Sequence, residues 1–269
     1  MLRLAKALLA LGLIVGLGLG LGLWWWLGKG QAPAPPGPPA TPVAPASSKP
    51  KLAIVIDDWG NQSKPIAALA GLGPPITVAV IPGLGYSRKA AETAHGLGLE
   101  VIVHLPMQPS AQMKMEPGTL MAGDRGVAVE RALQAQWDAV PHAVGLNNHE
   151  GSKATEDLEL MKLVTSFLAE KNGYFLDSLT SARSQGRTAA KATGTRFAAR
   201  RVFLDNVDKE EAVAKALDQA ASIALKTGSC IAIGHPRPTT LAVLQGAAPK
   251  LRAKGLDLVA VSALARRLD

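Results

Sequence analysis

From Leu52 onward the sequence alternates between short runs of β-branched and aliphatic residues and longer runs in which Ala and Leu recur at helical spacing. This alternation limits the possible folds more tightly than any other feature of the chain. The strand-like runs are 52–57, 76–81, 100–105, 143–147, 174–177, 201–204, 230–234 and 257–260. Helical spacing occupies Ser63–Leu72, Tyr86–Gly96, Ala128–Val140, Thr155–Lys171, Lys209–Lys226 and Thr239–Lys254. Alternating β and α units imply parallel strands joined by helical crossovers. Eight strands between residues 51 and 269 suit a (β/α) barrel, complete or imperfectly closed, better than two small domains. No internal repeat is visible.

Composition narrows the core and the partners. Hydrophobic residues make up 48% of the chain but aromatics only 4%, so the core is built mainly from Ala, Leu, Val and Ile. The net charge of +8 would suggest nucleic acid if it were spread over the folded part. It is not. Residues 1–51 hold five basic residues and no acidic one, which leaves the rest at +3, with no nucleic-acid partner implied. The lone Cys230 rules out an internal disulfide and reads as a core residue.

The first fifty residues form a separate unit. Ala7–Leu27 is an uncharged apolar stretch of 21 residues, long enough at about 1.5 Å per residue to cross a hydrocarbon layer of about 30 Å. Arg3 and Lys6 precede it, which places the N-terminus in the cytoplasm, and Trp24–Trp25–Trp26 suits the far interface. Residues 1–30 therefore read as a transmembrane anchor in the cytoplasmic membrane. A cleaved signal peptide is the competing reading, with Ala32–Ala34 as its cleavage signal. Gly12, Gly16 and Gly20 recur at the spacing of close helix pairs, although Gly/Leu bias also produces that pattern. Residues 31–50 are rich in Pro and Ala and read as an extended spacer. The folded domain, 51–269, is then expected on the periplasmic or extracytoplasmic side.

Chemistry-bearing residues collect where the strand runs end, which is where parallel α/β folds place ligands and catalysts. Asp57 and Asp58 end the first run. Adjacent carboxylates raise each other's pKa unless a cation relieves them, and a metal is the simplest relief. His104 follows Val101–Val103, His149 follows Asn147–Asn148, and His235 follows Ile231–Gly234. Any one of these could be a packed core histidine, but three of them together with an Asp pair suit a divalent ion, Zn²⁺ above all, with a position open for water. Asn147 and Asn148 are candidate substrate-binding amides. His95, on a surface helix, and His142, before a strand, are set aside. The irregular segment Gln108–Arg125 follows directly on a ligand strand, as functional loops do.

The segments IVIDDWG, VHLPMQP, GLNNHEGS, FLDS and IGHP, in this order and spacing, make residues 52–269 resemble the divergent polysaccharide deacetylase family, within the carbohydrate esterases. The resemblance implies a distorted (β/α) barrel with its site at the C-terminal strand edge. It also implies hydrolysis of acetyl groups on an envelope or extracellular glycan. By that resemblance Asp57 is the catalytic base, Asp58 a metal ligand and His235 the general acid. His104 matches the first histidine of an HxxxH pattern, but Gln108 stands where the second would be, and His149 of the NNH loop is offered as the third ligand instead. An Arg-x-Pro-Tyr motif that supports the base in ordinary members is not visible.

Two function classes follow. The first is a metal-dependent (N-)deacetylase acting at the membrane on an acetylated glycan, with the anchor and spacer letting a tethered catalyst reach its polymer. The second is a non-catalytic glycan-binding or scaffolding protein with a degenerate deacetylase site. Gln108 favours the second; Asp57, Asp58, His104 and His235 favour the first.

Overall fold

The computed structural model describes residues 49–61, 64–72 and 75–269; the apolar stretch and nearly all of the Pro/Ala-rich segment lie outside them. Among the described residues no helix is long and apolar enough to cross a membrane.

The strands are β1 (Lys51–Trp59), β2 (Thr77–Val80), β3 (Glu100–Met107), β4 (Ala143–Glu150), β5 (Tyr174–Asp177), β6 (Arg196–Ala199), β7 (Val202–Phe203), β8 (Ser229–Gly234) and β9 (Asp257–Leu258). The helices are α1 (Lys64–Leu72), α2 (Ser87–Gly96), α3 (Val127–Asp138), α4 (Leu158–Glu170), α5 (Gly186–Thr193), α6 (Glu210–Thr227), α7 (Pro238–Leu244) and α8 (Ala247–Ala253). Every strand pair is parallel, in the order β6-β5-β4-β3-β2-β1-β8-β7, with β9 beside β1. The two ends of that path, β6 and β7, do not pair with each other. The sheet is a curled, incompletely closed barrel.

Side chains alternate across a strand, and here the alternation separates two cores. Leu52, Ile54 and Ile56 of β1 join the large cluster packed under the helices. Ala53 and Val55 join a smaller one with Ala79, Ile102, Leu176 and Ile233 inside the curl. The inner cluster is rich in small residues because little room remains inside a narrow barrel. At the N-terminal mouth it is closed by polar groups: Thr77, Tyr174 and the Ser262 backbone N–H all donate to Glu100 Oε1.

Sequence and structure differ in several places. Among the described residues the expected eight strands become nine, because β6, with helix α5 before it, comes from a stretch of Ala, Thr, Gly and Arg with weak periodicity. The run 257–260 shrinks to two paired residues, as does 201–204. The helix expected over Thr239–Lys254 breaks into α7 and α8 at Gly246, whose φ of +72° suits glycine and ends helical winding. Finally, β3 continues through Pro106. Its last partner on β2 is opposite Val103, so the missing proline N–H breaks no bond to β2.

Candidate active site

Continuing the inner rows of the barrel upward leads to the site. Asp57 follows Ala53 and Val55 on β1, His104 follows Ile102 on β3, and His235 follows Ile231 and Ile233 beyond β8. Asn147 pairs with His104 across β3 and β4. By the same alternation Asp58 should point outward with Ile56. It does not, because the β1–β2 register shifts between Ile56 and Trp59 and Asp58 takes a φ of +59°. A bulge at this point turns two consecutive carboxylates toward one imidazole, that of His104, and Asp is among the few residues that tolerate the left-handed conformation.

Asp58 Oδ1 lies 3.1 Å from His104 Nε2 and 3.0 Å from His149 Nδ1, and those two nitrogens are 3.1 Å apart. Asp58 Oδ1 is nevertheless buried without a partner in hydrogen-bond geometry. The three atoms form one compact donor set. A four-coordinate ion about 2.1 Å from N and O ligands separates them by about 3.4 Å, so the set fits a divalent cation after a small outward shift. The far side of His104 agrees. Asn147 Nδ2 donates to Asp57 Oδ1 at 2.9 Å, so its Oδ1 faces His104 Nδ1 at 2.8 Å and accepts from it. That leaves the neutral tautomer's lone pair on Nε2, toward Asp58, in the orientation a metal-binding imidazole needs.

The electrostatics point the same way. Burial pushes the Asp57 carboxyl above its ordinary value, against the pull of His104, Asn147 and His235. For Asp58 the effect of burial is outweighed by the two imidazoles beside it, His104 and His149, and its pKa falls well below normal. Burial disfavours a charged His104, yet Asp57 and Asp58 overcome it and raise the ring to about 8. The carboxylates thus favour positive charge at this corner.

His235 stands across the opening. Its Nδ1 is 2.8 Å from Asp205 Oδ1, its backbone N–H donates to Asp205 Oδ2 at 2.7 Å, and its ring stacks on Phe203. Nε2 is thereby turned toward Asp58, 3.8 Å from Oδ2. Burial lowers the His235 pKa, but the Asp205 hydrogen bond and the Asp58 charge raise it overall. Asp205 is 2% exposed and is also held by Thr240 at 2.8 Å. Sequence reading missed Asp205, although it directly follows the run 201–204 and the strand-end rule applies to it equally. It missed Arg200 as well. This half-buried cation donates to the carbonyls of Ser178 and Leu179, lies 3.7 Å over the Phe203 ring and acts electrostatically on Asp57. No sequence motif marks it.

The candidate residues thus fall into distinct positions. Asp57, Asp58, His104, His149 and His235 meet around one opening. A cavity of about 280 Å³ there is lined by Asp58, Trp59, Gly60, Asn61, His235 and Arg237, among others. Asn147 and Asn148 are fully committed inside the protein. Asn147 bridges Asp57 to His104, while Asn148 accepts from Ser178 N–H and donates to Thr180 and to the Glu150 carbonyl. Both are at most 1% exposed, so they hold the site rather than face it. Gln108 is structural, its Oε1 accepting from the Ala122 N–H at 3.0 Å. His95 and His142 stack on each other with ring centroids 3.8 Å apart, at the other end of the strands.

The profile of the divergent polysaccharide deacetylase family matches residues 54–265. The chain belongs to that family. Two relatives share its sequence: the uncharacterized protein YibQ of Escherichia coli K12, 41% identical over 195 residues, and an uncharacterized protein of Haemophilus influenzae, 42% identical over 195 residues. The match covers 72% of this chain, 61% of YibQ and 70% of the Haemophilus protein. Among solved structures, an uncharacterized protein from Agrobacterium tumefaciens C58 superposes with a TM-score of 0.77 at 22% identity, over 80% of this chain and 89% of that one. A putative cellobiose-phosphate cleavage protein from Enterococcus faecalis V583 gives 0.55 at 15% identity, over 81% and 99%. A deacetylase solved with its substrate gives 0.50 at 11% identity, over 81% and 91%. At these identities the structures speak for the shared fold. The divergent deacetylase fold here carries its polar residues at the C-terminal strand edge.

Proposed function

We propose that the protein is a metal-dependent deacetylase acting on an acetylated envelope or extracellular glycan. One observation carries the reading: Asp58, His104 and His149 present three donor atoms within about 3.1 Å of one another, flanked by a buried carboxylate and by a carboxylate-held imidazole. Zn²⁺ or a similar ion held by these three would polarise the acetyl carbonyl and acidify a water molecule. Asp57 then accepts the water proton, and burial, by making its carboxylate more basic, suits it to that role. Water adds to the acetyl carbon, the C–N bond breaks, and His235 Nε2 delivers a proton to the departing amine. Asp205 keeps the His235 Nδ1–H engaged, so that Nε2 is the atom presented. Asn147 fixes Asp57 and His104 relative to each other. Arg200 supplies the positive charge near Asp57 that sequence reading sought in an Arg-x-Pro-Tyr motif.

Sequence alone places this chemistry at a membrane. In the proposed arrangement residues 1–30 anchor the chain, 31–50 space it, and 51–269 work on the periplasmic or extracytoplasmic side. The test is direct: the purified chain, loaded with Zn²⁺, is incubated with acetylated chito-oligomers and with peptidoglycan, and released acetate is measured. Acetate release that a chelator abolishes supports the proposal. A chain that binds glycan tightly and releases no acetate from any of them is instead a scaffold, the reading that Gln108 in place of a second HxxxH histidine favours.

A further inference from the structure

Away from the deacetylase site, the unclosed seam of the barrel carries an unused concentration of positive charge. Between Asp177 and Asp205 the sequence has six basic residues and no acidic one. Three of the six are held by hydrogen bonds or an ion pair. Arg183 pairs with Glu156, Arg196 donates to the Asn172 carbonyl and lies over Tyr174, and Arg200 serves the Ser178 and Leu179 carbonyls. Among the described residues, Arg187 and Arg201 have no carboxylate within ion-pair distance, and neither does Arg266 from the C-terminal segment.

These three arginines line one cavity of about 360 Å³, where β6 and β7 fail to pair. Its floor is apolar and includes Phe197, Ile231 and Leu264, and among the described residues no acidic side chain lines it. The fold explains why the charges gather there. Consecutive residues at the β6–β7 junction face opposite ways, so Arg200 turns toward the Ser178 and Leu179 carbonyls while Arg201 lines the seam. Arg266 arrives because the C-terminal segment bridges antiparallel to Phe197, covering the edge of β6. Arg187, in the first turn of α5, lies over the Phe197 ring at 5.8 Å.

We infer that this seam cavity is a binding site for a phosphate group, either free or as the headgroup of an anionic phospholipid. Guanidinium groups bind oxyanions through paired N–H donors and lose less hydration than lysine ammonium groups when they do so. Three of them match the several unesterified oxygens of a phosphate better than the two of a carboxylate. The apolar floor accommodates the carbon body of a phosphate ester. The site is independent of the deacetylase reading, since none of its residues lies in the cavity at Asp58 and His235.

The test uses the full-length chain in nonionic detergent and phosphate-free buffer, titrated calorimetrically with inorganic phosphate and, separately, with dihexanoyl phosphatidylglycerol. At least one probe should bind, and the triple variant R187Q/R201Q/R266Q should bind it about tenfold more weakly or worse while keeping the parent's thermal midpoint. Equal binding of the two probes assigns the site to free phosphate, and a marked preference for the lipid assigns it to a headgroup. Failure of both probes to bind the parent overturns the inference, as does undiminished binding by the triple variant. If the triple variant does not fold, R201Q and R266Q are titrated singly, and unchanged affinity in both overturns it equally.

Discussion

At the scale of single residues, neighbours in sequence do different work. Asp57 continues the inner row of β1 and is held by Asn147, whereas Asp58 turns inward only through a left-handed backbone conformation and meets His104 and His149. Their variants should therefore fail differently. Asp57→Asn keeps the shape of the side chain and should bind Zn²⁺ like the parent, but it cannot take a proton and should hydrolyse acetyl-sugar about 10²–10⁴-fold more slowly. Asp58→Asn should lose metal and activity together. Metal analysis beside an acetate assay decides the matter, and metal loss confined to Asp57→Asn would show the roles reversed. Asp205 acts one step further out. Asp205→Asn removes the carboxylate that orients and charges His235, so the rate should fall while Zn²⁺ content stays at the parent's level. A variant that keeps the parental rate and pH profile would remove Asp205 from the mechanism.

At the scale of elements, backbone geometry decides what each strand can present. The bulge in β1 brings two carboxylates to one imidazole, and β4 packs closely on β5. Gly145 of β4 lies under the Tyr174 ring, and a Cβ there would sit 2.7 Å from two ring atoms. Gly194 ends α5 at a φ of +68° with open space around it. Gly145→Ala should thus destabilise by overpacking, about 1–3 kcal/mol. Gly194→Ala should cost about 1 kcal/mol, from backbone strain alone. Urea denaturation of both variants tests the contrast, and a larger loss at Gly194 would contradict it. The β4–β5 register also explains Asn148, which alternation directs outward to latch the Ser178–Thr180 turn instead of meeting a substrate.

For the whole molecule, one buried thiol sets an alkaline limit. Burial pushes the Cys230 thiol up from 9.0 to about 11. As pH rises through that window the unfolded chain loses its thiol proton first, so the folded state holds more protons and stability falls. Two pH units correspond to about 2–3 kcal/mol. Cys230→Ala, though less stable near neutrality, should lose less stability than the parent across that window in urea titrations. Parallel losses in the two proteins would count against a buried thiol as the cause. The anchor proposal has its own whole-cell test. Protease added outside spheroplasts should remove residues 51–269 from the membrane, and protection of that region would mean that the orientation is wrong.

The alternation of strand-like and helical runs was enough to establish a parallel α/β architecture, because side-chain periodicity is a local property that survives without knowledge of neighbours. The same rule located Asp57, Asp58, His104, His149 and His235, since each follows a hydrophobic run. It failed where the run was short or weakly patterned, at β6 and α5, and where a glycine cut the helix expected over Thr239–Lys254. Other things were decided only in three dimensions. That Asp58 faces inward depends on a register shift against β2, and that Asn147 is a bridge depends on β3, β4 and β1 meeting at one level. That Arg200 lies near Asp57 depends on the curl that brings β6 back toward β1. These are relations between segments up to 143 positions apart, and no local pattern encodes a relation that exists only once the sheet has curled around it.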